Sequence, residues 1–348
     1  MQKLFCLILF ISVVISPLAE NCLAQLTAAE HPSAKNHSAP AAGPADAHAS
    51  RAFEFRYGAT IAELPAGAEV KVWIPIAETN PQQTVALKNS ATPGLLNFGR
   101  DVEHQNKIGS FKFTVDELTN PKFELVYDVQ RSPAVPYQSK VPRNLQLQTY
   151  SRYLKANRTV PISGKPIELI QDMALPENSP QTARKLYDLV FEHMDYDKSK
   201  PGYGNGDSVW ACDSRTGNCT DFHSLFISLA RNRSLAARFE IGFPLPRDQT
   251  SGKIGGYHCW AWFLSPESGW VPVDISEADK HPEMKDKLFG YLPPDRVAFS
   301  TGRDIVLVPA SQSSPQNFFV YPHVEVDGEA WPKEKIKLDF SFEDKQLP

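Results

Sequence analysis

From Phe53 to about Arg131, apolar side chains return at every second position: Phe53, Phe55, Tyr57; Val70, Val72, Ile74; Phe111, Phe113, Val115; Phe123, Leu125, Tyr127. A period of two restricts such a segment to extended strands with one buried face. Turn-prone breaks between the runs make it an antiparallel β domain, a small sandwich. It holds no titratable cluster that points to chemistry, so its expected role is to pack on a neighbouring domain or to bind a partner. Helical spacing then takes over. Ser179-Pro180 opens a helix to about His193 with Ala183, Leu186, Tyr187, Val190 and Met194 as its stripe. Shorter helices are expected at 147–156 and 166–173.

The 348 residues are 42% hydrophobic and 22% charged, with a formal net charge of −4. That balance fits a globular chain and argues against nucleic-acid binding or membrane-surface attachment driven by bulk charge. No internal repeat is visible.

In Gly217-Asn218-Cys219-Thr220-Asp221-Phe222-His223, Asn218 is placed to cap a helix, and Asp221, three residues on, to return a bond to the cap's N–H. Phe222, Leu225, Phe226, Leu229 and Ala230 form the apolar arc of this helix, and Cys219 falls inside it. The sulfur therefore faces the protein from the first helical turn. There the dipole and unpaired N–H groups favour thiolate and can hold an oxyanion.

Gly256-Tyr257-His258-Cys259-Trp260-Ala261-Trp262-Phe263-Leu264 reads as a strand, with His258, Trp260 and Trp262 on one face and Cys259, Ala261 and Phe263 on the other. Gly269 to Ile275 reads as its hairpin partner across the turn Ser265-Pro266-Glu267-Ser268-Gly269. This places Asp274 beside His258. An Asp between Val273 and Ile275 is partly buried and needs a partner, which an imidazole N–H supplies. Singly, Cys219 and His258 read as core residues and Asp274 as a strand end. Together they are a thiol nucleophile, its base and the base's orienting group.

These three blocks, Gly217 to Phe222, Gly256 to Ala261 and Trp270 to Asp274, resemble the signature blocks of the transglutaminase-like superfamily, in particular its secreted bacterial branch. The resemblance implies an α+β fold with a papain-like core and a triad of Cys219 (nucleophile), His258 (base, then acid) and Asp274 (orienter). It covers about 180 to 280 closely. Where the family often carries a Gly-Ile-Pro-Ala-Arg type turn, this chain has Ser234-Leu235-Ala236-Ala237-Arg238. By the same resemblance Trp210 is a candidate indole donor to the oxyanion, a role its spacing does not establish. His223, one turn behind Cys219, points poorly toward the thiol's reacting face and reads as structural or substrate-lining. Gly202 to Asp207 is a flexible rim or connector without the strand and helix of a phosphate loop.

Met1-Gln2-Lys3, an apolar run from Leu4 to Ile15, Pro17 and a small-residue exit at Cys22-Leu23-Ala24 read as a secretory leader cleaved after Ala24. Ala19-Glu20-Asn21 is a poor lipid-attachment context before Cys22. The expectation is a secreted or periplasmic protein without stable membrane insertion. Cys212, Cys219 and Cys259 then remain, and an odd count in an oxidising compartment suggests one working thiol, Cys219, and a Cys212 to Cys259 bridge. Zinc held by Cys212, Cys219 and His258 lacks the Cys-x-x-Cys spacing of structural sites. No acidic loop of EF-hand type is present either, so no metal or other cofactor is expected.

The expected organisation is leader 1–24, disordered linker 25–50, β domain 51–135, helical connector 136–178, catalytic core 179–285 and a strand extension of the core sheet at 286–348, with strands at 303–309 and 318–326. Two function classes follow. One is an exported cysteine enzyme acting on peptide-like amides of a peptide or protein substrate, hydrolysing rather than transglutaminating because water is the default acceptor. The other is a binding or scaffold module that keeps the fold without turnover, for which an intact Cys-His-Asp set has no use.

Overall fold

The structure, a computed structural model, describes residues 50–116, 120–138, 150–313 and 315–347. The leader, residues 25–49 of the linker and the start of the 147–156 helix lie outside the described residues. In chain order the elements begin with β1 (Arg51–Ile61), β2 (Glu69–Pro75), β3 (Gln83–Ala91), β4 (Asn97–Arg100), β5 (Lys107–Thr114) and β6 (Lys122–Arg131). Next come α1 (Lys165–Glu168), α2 (Pro180–His193), β7 (Asp195–Tyr196), α3 (Ser208–Ser214), β8 (Thr216–Gly217) and α4 (Cys219–Asn232). Then follow β9 (Ala237–Pro244), β10 (Ser251–Lys253), β11 (His258–Ser265), β12 (Gly269–Val273) and α5 (Ile275–Lys280). The last are β13 (Arg296–Thr301), β14 (His323–Val326), β15 (Glu329–Ala330) and β16 (Ile336–Lys345). The fold class is α+β.

The alternating residues named above lie in or beside β1, β2, β5 and β6 and are buried, Phe113 alone being half-buried. They line two facing five-stranded sheets, ordered β10-β16-β1-β6-β3 and β15-β14-β2-β5-β4. Phe111 of one sheet meets Phe123 of the other edge-on at 5.5 Å, as inward faces of a sandwich do. Three of these ten strands come from the C-terminal part, which changes the expected organisation. Segment 318–326 supplies only β14, and β14 lies beside β2, not on the His258 sheet. Segment 303–309 forms no strand; Ile305 makes an isolated bridge to Gln316. The reason is the open flank of the sandwich: β16 pairs with β1 along ten residues and Val324 and Val326 fill the sandwich core, removing exposed edges that the first six strands leave.

The connector is also less helical than its spacing predicts. Among the described residues of 136–178 the helical ones are Tyr150, a 3-10 turn (Ser151–Leu154) and α1. The α2 stripe holds: Ala183, Leu186, Tyr187 and Val190 are buried within Pro180–His193.

The site rests on a four-stranded antiparallel sheet, β12-β11-β9-β13, with α4 packed on the face of Phe239, Ile241, Ala261 and Phe263. Phe243 carries that face into the sandwich, with ring centroids 4.5 Å from Phe340, 5.2 Å from Phe55 and 5.2 Å from Phe299. Among the described residues no helix is long and apolar enough to cross a membrane.

Because Phe243 joins both sheet systems, Phe243→Ala should cost about 3–5 kcal/mol. Urea unfolding followed by near-UV circular dichroism should still show one transition, shifted to lower denaturant, since sandwich and site sheet share one core.

Candidate active site

The local sequence forms the cap it predicts. Asn218 Oδ1 accepts the Thr220 N–H at 2.9 Å, and Asp221 Oδ2 accepts the Asn218 N–H at 2.9 Å. Asp221 does more than the cap requires. Its buried carboxylate also accepts Gly204 N–H at 2.7 Å and Gly206 N–H at 2.9 Å, fastening the glycine loop to the start of α4. Gly206 has φ +57, and a side chain there would also collide with Ser224 and Arg303. Arg303, fully buried, donates to Ser224 Oγ at 2.6 Å and to the Gly206 carbonyl at 2.9 Å, holding the loop from the other side. Cys219 is thus the first residue of a helix whose entry is fixed on both flanks. Among the described residues no acceptor takes its N–H.

His258 opens β11 and Asp274 follows the end of β12, which stops at Val273, two residues before the expected strand end. Asp274 caps α5, its Oδ1 accepting the Glu277 N–H at 3.2 Å. Its Oδ2 accepts His258 Nε2–H at 2.8 Å and Arg296 Nη1–H at 3.0 Å. The other His258 ring nitrogen is left for the Cys219 sulfur, whose ionisation His258 influences. Cys219 is 2% exposed, His258 5% and Asp274 0%, so the charges act on one another with little water between them.

Burial alone pushes the Cys219 thiol up, but hydrogen bonds from the Cys259 thiol and His258, with the His258 charge, hold it well below the usual thiol range. Burial pulls His258 down, and the Asp274 charge and hydrogen bond, then Cys219, raise it to about 9. Against the upward push of burial, His258, Arg296 and His223 keep Asp274 well below the carboxylate range. These shifts all favour the thiolate, imidazolium and carboxylate forms.

His223 is fully buried. Its Nδ1–H donates to the Cys219 carbonyl at 2.7 Å and its Nε2 accepts the Ile275 N–H at 3.1 Å. Burial lowers its pKa, and both bonds suit the neutral ring. It ties the Cys219 peptide to the peptide that follows Asp274 and does not line the cleft at His258. Trp210 stands on α3 over Gly202, where φ is +103 and an added Cβ would lie 2.6 Å from the indole nitrogen.

Cys212, Cys219 and Cys259 are free thiols, so the expected Cys212 to Cys259 bridge is not formed. Cys212 Sγ lies 3.9 Å from the Lys165 carbonyl, whereas Cys259 Sγ lies 3.6 Å from His223 Nδ1 and contacts Cys219. The expectation that Cys259 turns away from the site also fails. Alternation does point it opposite His258, but at the strand's end the start of α4 is within reach of both faces. Arg296 was not legible in the sequence, since no spacing rule relates it to Asp274. Cys259 had one signal, its place next to His258.

A cleft of about 320 Å³ reaches His258 and is lined also by Tyr196, Tyr257, Arg247, Glu277 and Lys280. Lys280 Nζ lies 2.7 Å from Glu277 and 4.0 Å above the Tyr196 ring, which stiffens that wall. A separate hollow of about 200 Å³ borders Arg238 and Glu240, and none of Cys219, His258 and Asp274 lines it.

Residues 167–275 match the model of the transglutaminase-like superfamily, a span that includes Cys219, His258 and Asp274. An uncharacterized protein of Haemophilus influenzae is 28% identical over 236 residues, covering 57% of this chain and 64% of that protein. The chain thus spans under two thirds of that relative's length. Among solved structures, a Cytophaga hutchinsonii protein whose assignment as a cysteine protease is provisional aligns with 85% of this chain and 100% of its own, at 15% identity and a TM-score of 0.49. The periplasmic domain of TgpA from Pseudomonas aeruginosa aligns with 68% of this chain and 91% of its own, at 17% identity and a TM-score of 0.34. Over residues 167–275 the chain is therefore similar to the transglutaminase-like superfamily.

Proposed function

We propose that the protein is an exported cysteine-dependent acyl-transfer enzyme acting on peptide-like amides, with Cys219 as nucleophile, His258 as proton carrier and Asp274 as orienter. The observation that carries this reading is the buried 2.8 Å bond from His258 Nε2–H to Asp274, with the ring's other nitrogen turned to a sulfur at a helix N-terminus. A scaffold gains nothing from holding three ionised groups out of water, where each unpaired charge is costly.

The Cys219 thiolate attacks the substrate carbonyl, and the oxyanion that forms is met by the uncommitted Cys219 N–H. Trp210 is the proposed second donor. His258, charged at neutral pH, gives its proton to the departing amine and the acyl-thioester remains. The now neutral His258 takes a proton from water, which attacks the thioester and frees Cys219. Asp274 stays ionised throughout and holds the ring in the tautomer that presents the correct nitrogen. Hydrolysis is favoured over transfer to an amine because the cleft at His258 opens to solvent and water is the most abundant acceptor. Export rests on the leader-like Met1 to Ala24.

Cys219→Ala should abolish turnover of peptide amides. Iodoacetamide should label Cys219 with an apparent pKa well below ~8.5; labelling only near or above that value would favour the binding-module reading. Release of free amino groups, measured against incorporation of a fluorescent amine, should show release dominating.

Asp274→Asn should lower kcat by roughly two to four orders of magnitude. Turnover should also fall as pH rises through about 9, where His258 loses its proton. The stability sign is the same: the His258 pKa is raised from 6.5, so its contribution is full below 6.5 and lost as pH climbs through about 9. Thermal melts across that interval should show the decline, and Asp274→Asn should remove it.

His223→Ala leaves the Ile275 N–H without its acceptor and should cost about 1–3 kcal/mol. Measured on folded protein, kcat should fall with KM little changed, because the ring spaces Cys219 from Asp274 and touches no substrate.

A further inference from the structure

Cys259 is a buried thiol that the acyl chemistry does not use, although it touches the sulfur that does. Three observations put the two thiols in one compartment. Cys219 opens α4, which packs on β11, and Cys259 lies on the core face of β11, opposite Trp260 and Trp262. The ionisation of each thiol is influenced by the other, which places the two side chains in proximity. His223 adjoins both residues, 3.6 Å from Cys259 Sγ and 2.7 Å from the Cys219 carbonyl. Cys212, the third free thiol, lies elsewhere at the Lys165 carbonyl.

We propose that Cys259 is a resolving thiol: when a hydroperoxide oxidises Cys219, Cys259 closes an intramolecular Cys219–Cys259 disulfide that stores the nucleophile in a recoverable form. The proposal rests on the thiolate reading of Cys219 given above, and not on the acyl chemistry. In the first step the Cys219 thiolate attacks a peroxide oxygen and the O–O bond breaks. Cys219 becomes a sulfenic acid, and the departing hydroxide takes a proton from the His258 imidazolium to leave as water. In the second step the Cys259 sulfur attacks the Cys219 sulfur and the S–O bond breaks. The departing hydroxide, protonated by the hydrogen Cys259 gives up, leaves as a second water. Two thiols and one peroxide yield one disulfide and two waters.

Electrostatics set the order of events. Burial, and then the neighbouring Cys219, raise the Cys259 thiol, so it stays protonated while Cys219 carries the charge. Sulfenylation removes that charge and relieves Cys259 of one of the influences that hold its proton. A cleft open at His258 admits a molecule as small as hydrogen peroxide. No solvent path to Cys259 is needed, because its reaction is with its neighbour.

The test treats the purified chain with hydrogen peroxide at neutral pH, blocks remaining thiols with an alkylating agent in denaturant, and maps unreduced peptides by mass. The expected product joins the Cys219 and Cys259 peptides with the loss of two hydrogens, leaves Cys212 alkylated, and disappears on thiol reduction with recovery of Cys219 labelling. Cys212→Ser should give the same cross-link. In Cys259→Ser, Cys219 should stop at a sulfenic acid that dimedone traps and then pass to sulfinic acid that reductant does not reverse. Oxidised Cys219 beside fully alkylated Cys259 in the unsubstituted chain would overturn the proposal. If iodoacetamide labels Cys219 readily while peroxide leaves it unchanged, the pair fails and the nucleophile stands; slow reaction with both reagents removes the two readings together.

Discussion

The Asp274 carboxylate is the charge around which the site is organised. It lies in a fully buried position where an unpartnered carboxylate would take up a proton. His258, Arg296 and the start of α5 meet it from three sides, at 2.8, 3.0 and 3.2 Å. These bonds serve two ends at once. They keep the carboxylate ionised, which keeps His258 protonated, which in turn keeps Cys219 as thiolate. They also join β11, β12, α5 and β13 at one point, so the proton arrangement and the tertiary arrangement are the same set of contacts.

The sulfur's side of the site depends on a second buried carboxylate. Asp221 accepts three backbone N–H groups and so couples the glycine loop to the first turn of α4. With Arg303 gripping that loop from the opposite side, the helix start cannot shift without exposing donors that have no other acceptor. His223 spans the remaining gap, between the Cys219 carbonyl and the Ile275 amide. The thiol, the imidazole and the carboxylate are thus spaced by hydrogen bonds among neighbouring residues of the framework. The sandwich contributes rigidity from further away, since Phe243 is packed among Phe55, Phe299 and Phe340.

Much of this was legible locally. Asn218 and Asp221 announce a helix start, and Cys219 lies within the stripe that Phe222, Leu225 and Phe226 define. The aromatic run after His258 and the turn at 265–269 announce a hairpin that ends at Asp274. In each case the signal is a bond or period spanning a few residues, so neighbours in sequence are sufficient to read it. The third cap partner of Asp221, the Arg296 contact and the Cys259 contact had no such signal. Each joins segments separated by 15 to 40 residues through loops whose path no short period describes.

The C-terminal strands make the same distinction at the scale of the fold. Val324 and Val326 are apolar at alternate positions, which declares a strand but not its neighbours. They could have extended the His258 sheet; they lie instead against β2, and Ile336–Lys345 against β1. By itself the sequence determined which residues are candidates for the chemistry and most of the helices and strands that carry them, because capping and periodicity act over one or two turns. Only the tertiary structure decided which sheet each tail strand joins, that Cys259 rather than Cys212 adjoins Cys219, and that Arg296 holds Asp274. Those outcomes depend on which edges, buried charges and core surfaces remain unsatisfied once the whole chain has closed on itself.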